Sequence, residues 1–159
     1  MSAATARRRA RERVLLGLYE RQLTGNADDT IAADLFETPV GPRERTSIQD
    51  TGALPVDAEY GRELWRGVSA EYDALLHTIE PKVDRKLAAL APVERALLVI
   101  GAWELTHRLD IPYRVVIDEA VELAKAYGGT DGHKFVNGVL DKLAPVLRAT
   151  EMGATARDE

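Results

Sequence analysis

An all-α fold is predicted for this 159-residue chain, a single compact domain of about seven helices arranged as two packed helical subbundles. Apolar residues recur at spacings of three and four along most of the sequence, period-two alternation is scarce, and proline or glycine punctuates the runs at helical intervals. A first helix is expected over residues 5–23, with Val14, Leu15, Leu18 and Tyr19 on its inner face and Gly25-Asn26 as its stop. A short second helix follows over 29–37. Residues 38–56 hold Pro39, Gly41, Pro42, Gly52 and Pro55 with few large apolar groups, so they are expected to form a surface loop inside the domain. The strongest pattern runs over 57–79: Tyr60, Leu64, Trp65, Val68, Tyr72, Leu75, Leu76 and Ile79 make one apolar stripe, Asp57 suits the cap, and Pro81 blocks continuation.

After Pro81 a short helix is expected through Val83, Leu87 and Leu90, then a hydrophobic one over 93–108 that forms the centre of the core. Asp110-Ile111-Pro112 breaks the chain. The helix over 114–127 is amphipathic through Val116, Ile117, Ala120, Leu123, Ala124 and Tyr127, and Gly128-Gly129 offers a glycine at its C-terminal cap. Thr130 or Asp131 can cap a last helix, whose apolar side is Phe135, Val136, Val139, Leu140 and Leu143 up to Pro145. The domain is expected over 1–148, with 149–159 a flexible, frayed tail.

Composition narrows the function. Cysteine is absent, which removes disulfides, thiolate catalysis and sulfur-ligated metal, and suits a reducing cytoplasm. The basic start lacks a continuous apolar segment and is expected to stay on the mature protein. The longest clean apolar stretch is residues 96–103, far below the roughly 18 residues of a membrane span. Charge is asymmetric. The whole chain carries −5, but residues 1–13 carry +4 from Arg7, Arg8, Arg9, Arg11 and Arg13 against Glu12, leaving −9 on the remainder. A polyanion must therefore dock locally.

At about 100° per residue, Arg7, Arg8 and Arg11 share an arc with Val14, Leu15, Leu18 and Tyr19, while Arg9 and Arg13 point the other way. Buried, unpaired guanidinium is too costly to sustain, so this end of the helix is expected to overhang the core. The plainer reading of the same residues is a solvated basic tail. A second candidate is Gly129-Thr130-Asp131-Gly132-His133-Lys134-Phe135, a glycine-rich turn entering a helix. Helix amides, His133 and Lys134 supply donors there, and Phe135 can stack an unpaired base; an aromatic at such a position otherwise packs in a core, and Gly138 marks close helix packing more often than a ligand. The turn is not a P-loop, because the spacing is wrong and no Ser or Thr follows Lys134.

Enzymatic constellations are weak. His77, His107 and His133 lie on separate elements, Asp118, Glu119 and Glu122 match ordinary surface acids, and no metal site or cofactor motif is present. Glu94 and Arg95 follow Pro92 at a helix start, where they either cap the helix or face a partner as an ion pair.

Three segments together carry a resemblance: RRRARERVLLGLYERQL at 7–23, VERALLVIGAWEL at 93–105, and IPYRVVIDEAVELAKAYGGTDGHKFVNGVLDKLAP at 111–145. The chain resembles the NusB family of bacterial transcription antitermination factors, over about residues 5–148. It departs from that pattern around 37–55, which is longer and more polar, and at Arg21, where an aromatic residue can occur. The resemblance implies two helical subbundles, no catalysis and no cofactor. It implies binding of boxA RNA in ribosomal RNA transcripts together with the small-subunit ribosomal protein NusE, and assembly with other Nus factors on RNA polymerase. Carried onto this sequence, the RNA surface comprises Arg7, Arg8, Arg9, Arg11, Lys134 and Phe135, with Asp131 beside it; Tyr19, Glu94 and Arg95 face the protein partner. Two competing readings are an RNA-binding module like the N-terminal domain of RNA cytosine methyltransferases, and a homodimer that hides the arginine face.

Overall fold

The computed structural model describes residues 3–37 and 56–158, so the loop expected over 38–56 lies outside the described residues except for Val56. Every regular element among those described is helical: eight α-helices, one π-helical turn and two 3₁₀ turns. They fall into two compact units, Met1–Ser69 and Ala70–Glu159.

In the first unit, α1 spans Ala3–Thr24 and buries Ala10, Val14, Leu15 and Leu18. Each large aliphatic side chain so buried contributes about 1.5–3 kcal/mol. Gly25 ends the helix in the left-handed region at φ 71°, its N–H donating to the Arg21 carbonyl at 3.0 Å. The short second helix is interrupted. An α-helical turn, α2 (Asp28–Ala32), passes into a π-helical turn, Ala33–Glu37. Two arginines hold this segment: Arg13 Nη1 donates to the Leu35 carbonyl at 2.6 Å and Arg62 Nη2 to the Phe36 carbonyl at 3.1 Å, satisfying acceptors that a helix end leaves open. Two glycines admit its side chains. A Cβ on Gly17 would lie 2.6 Å from Leu35 Cδ1 and 2.8 Å from Trp65 Cζ3, and one on Gly61 would collide with the Phe36 ring.

The helix α3 (Ala58–Ala70) starts as expected, with Asp57 Oδ1 accepting from the Tyr60 N–H at 3.0 Å. It does not run to Ile79. Glu71 leaves the helical region at φ −110°, ψ 16°, and a separate helix, α4 (Tyr72–Ile79), begins there. Apolar positions on both sides keep their spacing of three and four, so a one-residue interruption leaves no trace in the pattern.

In the second unit the expected short helix after Pro81 is reduced to two 3₁₀ turns, Glu80–Lys82 and Leu87–Ala89, with irregular chain between. The central helix α5 (Pro92–His107) opens with proline, whose missing N–H costs nothing at a helix start, and buries every residue from Ala96 to Leu105. Against it lie α6 (Tyr113–Tyr127) and α7 (Gly132–Leu147). Gly101 lets α5 and α7 approach, since a Cβ there would meet Leu140 Cδ2 at 2.8 Å. Gly128 ends α6 for a different reason from the one expected. Its backbone is extended, and the constraint is steric: a Cβ would sit 2.7 Å from the Ala124 carbonyl oxygen.

Pro145 lies inside α7, which continues to Leu147; so near the end, the lost N–H removes one bond from the ladder without stopping it. Beyond it, α8 (Ala149–Asp158) stands where a frayed tail was expected. Buried Arg148 anchors this junction. Its guanidinium donates to the carbonyls of Leu105 at 2.7 Å, Glu104 at 3.1 Å and Arg108 at 2.8 Å, and pairs with Glu151 at 2.5 Å. Glu151 in turn accepts the Tyr113 N–H at 3.1 Å. One ion pair thus caps the end of α5 and the start of α6, and its satisfied donors make the burial of charge tolerable.

Candidate nucleic-acid interface

The basic face of α1 is organised around Tyr60. The Arg7 guanidinium lies 4.6 Å from the ring centroid and 3.9 Å from Asp57 Oδ2, and the Arg11 guanidinium lies 5.5 Å from the same ring. Arg11 is only 3% exposed. The expected overhang is therefore corrected for this residue: the electron-rich ring face accepts the cation, and Arg11 belongs to the interior. Arg13, placed on the outer side by the helical wheel, is instead turned onto the Leu35 carbonyl. Arg8 is exposed, Arg7 keeps 35% of its side chain in solvent, and Arg9 is half-buried.

Tyr19, assigned to the inner face, is 40% exposed and shares an outward stripe with Leu16 and Leu23. The wheel placed it at the margin of the apolar arc, where small rotations decide burial. In the second unit, Glu94 and Arg95 occupy the first turn of α5. Arg95 Nη2 donates to the Leu90 carbonyl at 3.1 Å. The Glu94 carboxylate lies against Gly132, where a Cβ would come within 2.9 Å of Oε1. Glu94 is thus held beside the start of α7.

That start carries the second candidate cluster. Asp131 occupies the cap position of α7, but its side chain makes no capping bond; it lies 3.5 Å from Lys134 Nζ. Lys134 is 73% exposed. Phe135 is half-buried rather than a core residue, and the Arg85 guanidinium covers its ring at 4.4 Å from the centroid. Arg85 is itself held loosely, its Nε donating to Asp84 Oδ1 at 3.1 Å with both side chains largely in solvent. The hydrogen bond and charge of Arg85, aided by Lys142, hold the Asp84 carboxyl below its usual value, so Asp84 stays ionised.

Magnitudes decide what this ring can do. A guanidinium on an exposed aromatic face contributes about 0.5–1 kcal/mol. A nucleobase stacked on it contributes about 1–3 kcal/mol. Phe135 therefore offers a platform that a base can win from Arg85. Sequence reasoning missed Lys82 and Arg85 because residues 81–90 read as a helix, and Lys142, on α7, because its neighbours on that segment were not placed; the signal present was the basic run Lys82, Arg85, Lys86. It also treated Glu119 as surface decoration, whereas this residue is only 8% exposed. Gly138 is not a packing glycine, for nothing lies within 4 Å of the position a Cβ would take. Among the described residues no group of three or more His, Cys, Asp or Glu could hold a metal ion.

Comparison with known proteins gives the family and the fold. The model of the NusB family matches residues 8–145. The transcription antitermination protein NusB of Azoarcus sp. (strain BH72) is 46% identical over 154 residues, covering 97% of this chain and 92% of that protein. The protein of the same name from Nitrosospira multiformis is 49% identical over 144 residues, covering 91% and 84%. Among solved structures, T. maritima NusB superposes with a TM-score of 0.71 at 28% identity, over 86% of this chain and 89% of that one. By the extent of these matches and by its helical fold, this chain belongs to the NusB family.

Proposed function

We propose that this chain is a non-catalytic, RNA-binding transcription antitermination factor that recognises boxA RNA together with NusE and joins other Nus factors on RNA polymerase in the cytoplasm. The observation that carries the reading is the half-buried Phe135 ring beside the exposed Lys134, on a chain of net charge −5. Single-stranded RNA is recognised by stacking and base-edge contacts added to sequence-independent phosphate attraction, and this cluster offers both ingredients. Arg7, Arg8 and Arg9 on α1 supply phosphate contacts, while Arg11, buried under Tyr60, contributes through its charge and through the position of Arg7. Asp131 tunes affinity through Lys134. The protein partner sits against Tyr19, Glu94 and Arg95; exposure of Tyr19 within an apolar stripe supports that role.

Fluorescence anisotropy with boxA RNA and a scrambled control, with and without NusE, tests the reading. Preference for boxA, enhancement by NusE and loss of about 1–3 kcal/mol on Phe135→Ala are expected. Equal affinity for the scrambled RNA, or indifference to Phe135→Ala, would refute it.

A further inference from the structure

The Phe135 ring opens into a groove between the 80–86 segment and α7. Beside the ring the groove measures about 120 Å³ and is lined by Lys82, Asp84, Lys134, Gly138 and Lys142. It continues into a hollow of about 370 Å³ that shares Lys82, Asp84 and Lys142 with it. Three lysines and one carboxylate line it; that carboxylate is engaged with Arg85, and Lys134 alone has a further acid, the exposed Asp131, at 3.5 Å. The floor is open at Gly138: a helix-interior glycine ordinarily costs stability, and here no neighbouring atom requires one.

We propose that this groove carries the backbone of single-stranded RNA next to the base stacked on Phe135, with Lys82 and Lys142 on its phosphates and Arg85 as a placeholder that yields the ring and turns to a neighbouring phosphate. The proposal rests on the reading of the chain as an RNA-binding factor. Arg85 is suited to the exchange because its partner Asp84 is exposed, so releasing the ring exposes no buried charge. Stacking on the ring selects a planar base, and the row of amines beside it selects a chain of phosphates. An acidic peptide would satisfy the amines but leave the ring unused.

The test is anisotropy of labelled boxA RNA on the full chain with NusE, across a salt series, for Lys82→Ala/Lys142→Ala, Arg85→Ala, Gly138→Leu and Phe135→Ala. Each phosphate contact on a single strand contributes about 0.7 to the log–log salt slope, so the double lysine variant should lower it by about 1.4 and Arg85→Ala by about 0.7 with weaker binding. Gly138→Leu should weaken binding severalfold while Tm stays level or rises, because leucine is the better helix former; misfolding cannot produce that pair of results. Unchanged slopes in the lysine variant, tighter or unaltered binding by Arg85→Ala, or wild-type binding by Gly138→Leu would each overturn the groove. Polyglutamate that competes as well as unlabelled RNA would overturn its assignment to RNA. If Phe135→Ala weakens binding while the groove variants do not, the groove alone fails; if Phe135→Ala has no effect, the underlying reading fails with it.

Discussion

The cations of α1, all arginine, and those around Phe135, lysines with a single arginine, are committed differently. On α1, Arg11 lies in the interior against Tyr60, Arg13 is spent on the Leu35 carbonyl, and Arg7 divides itself between Tyr60 and Asp57. Around Phe135, Lys134 is mostly solvated and Arg85 rests on the half-buried ring beside an exposed Asp84. A run of arginine in sequence therefore measures charge, not charge available to a phosphate. The fold draws part of the first cluster inside and leaves the second on weak, solvated contacts, and substitutions at matched positions can separate the two uses.

The largest effect is expected where an arginine serves structure alone. Arg148→Ala removes the buried half of an ion pair whose Glu151 is partly solvated, together with the donors to three carbonyls at the end of α5, and should cost about 3 kcal/mol in urea-induced unfolding. It should leave the RNA affinity of the folded fraction unchanged. A fall in affinity at full folding would place Arg148 in the second class of cation.

Within α1 the same division can be drawn between near neighbours. Arg11→Ala should destabilise by about 2 kcal/mol, the scale of a desolvated cation–π contact. Arg8→Ala, at an exposed position, should stay within about 0.5 kcal/mol of wild type, yet lower the salt slope of RNA binding by about 0.7. If Arg11→Ala unfolds no more easily than Arg8→Ala, the burial of Arg11 on Tyr60 does not support the fold.

Glycines sharpen the contrast further, because one substitution should have opposite signs in the two regions. Gly17→Ala forces a Cβ against Leu35 and the rigid Trp65 ring, and should destabilise by about 1–3 kcal/mol despite alanine's better helix propensity. Gly138→Ala meets open space and should stabilise by about 0.5–1 kcal/mol. Thermal denaturation of both variants checks the pair; a destabilising Gly138→Ala would mean that α7 is not free on that side.

Much of this was legible before the structure. The apolar stripes of α3, α6 and α7 follow the spacing of three and four, and most of their core positions could be named from it, while α5 was legible as one unbroken apolar run. The Asp57 cap and the Gly25 stop were legible as well, since each depends on local chemistry. What escaped depends on tertiary partners. The interruption at Glu71 preserves the apolar phase, Arg148 needs carbonyls more than 40 residues upstream, and Arg11 could not be placed until Tyr60 lay beside it. At the candidate interface, Lys134 and Phe135 were legible through their glycine-rich turn, but Arg85 joins them only through a fold that a helical reading of 81–90 hid.

The smallest effect tests how finely the second cluster is balanced. Asp131 lies 3.5 Å from Lys134 Nζ, both side chains being about three-quarters exposed, so their pairing contributes about 0–1 kcal/mol to stability. Because the Asp131 side chain makes no capping bond, Asp131→Asn loses that weak pairing and a favourable dipole interaction at the start of α7, together about 1 kcal/mol at most. Its effect on RNA should have the other sign. Removing a negative charge beside Lys134 removes repulsion toward an incoming phosphate, which at contact distance in water is about 1 kcal/mol before screening. Affinity at low salt should therefore rise by up to about fivefold, shrinking as ionic strength increases. Weaker binding by Asp131→Asn would mean that the carboxylate itself accepts a hydrogen bond from RNA, and that Asp131 belongs among the groups that read the base rather than those that tune the charge beside it.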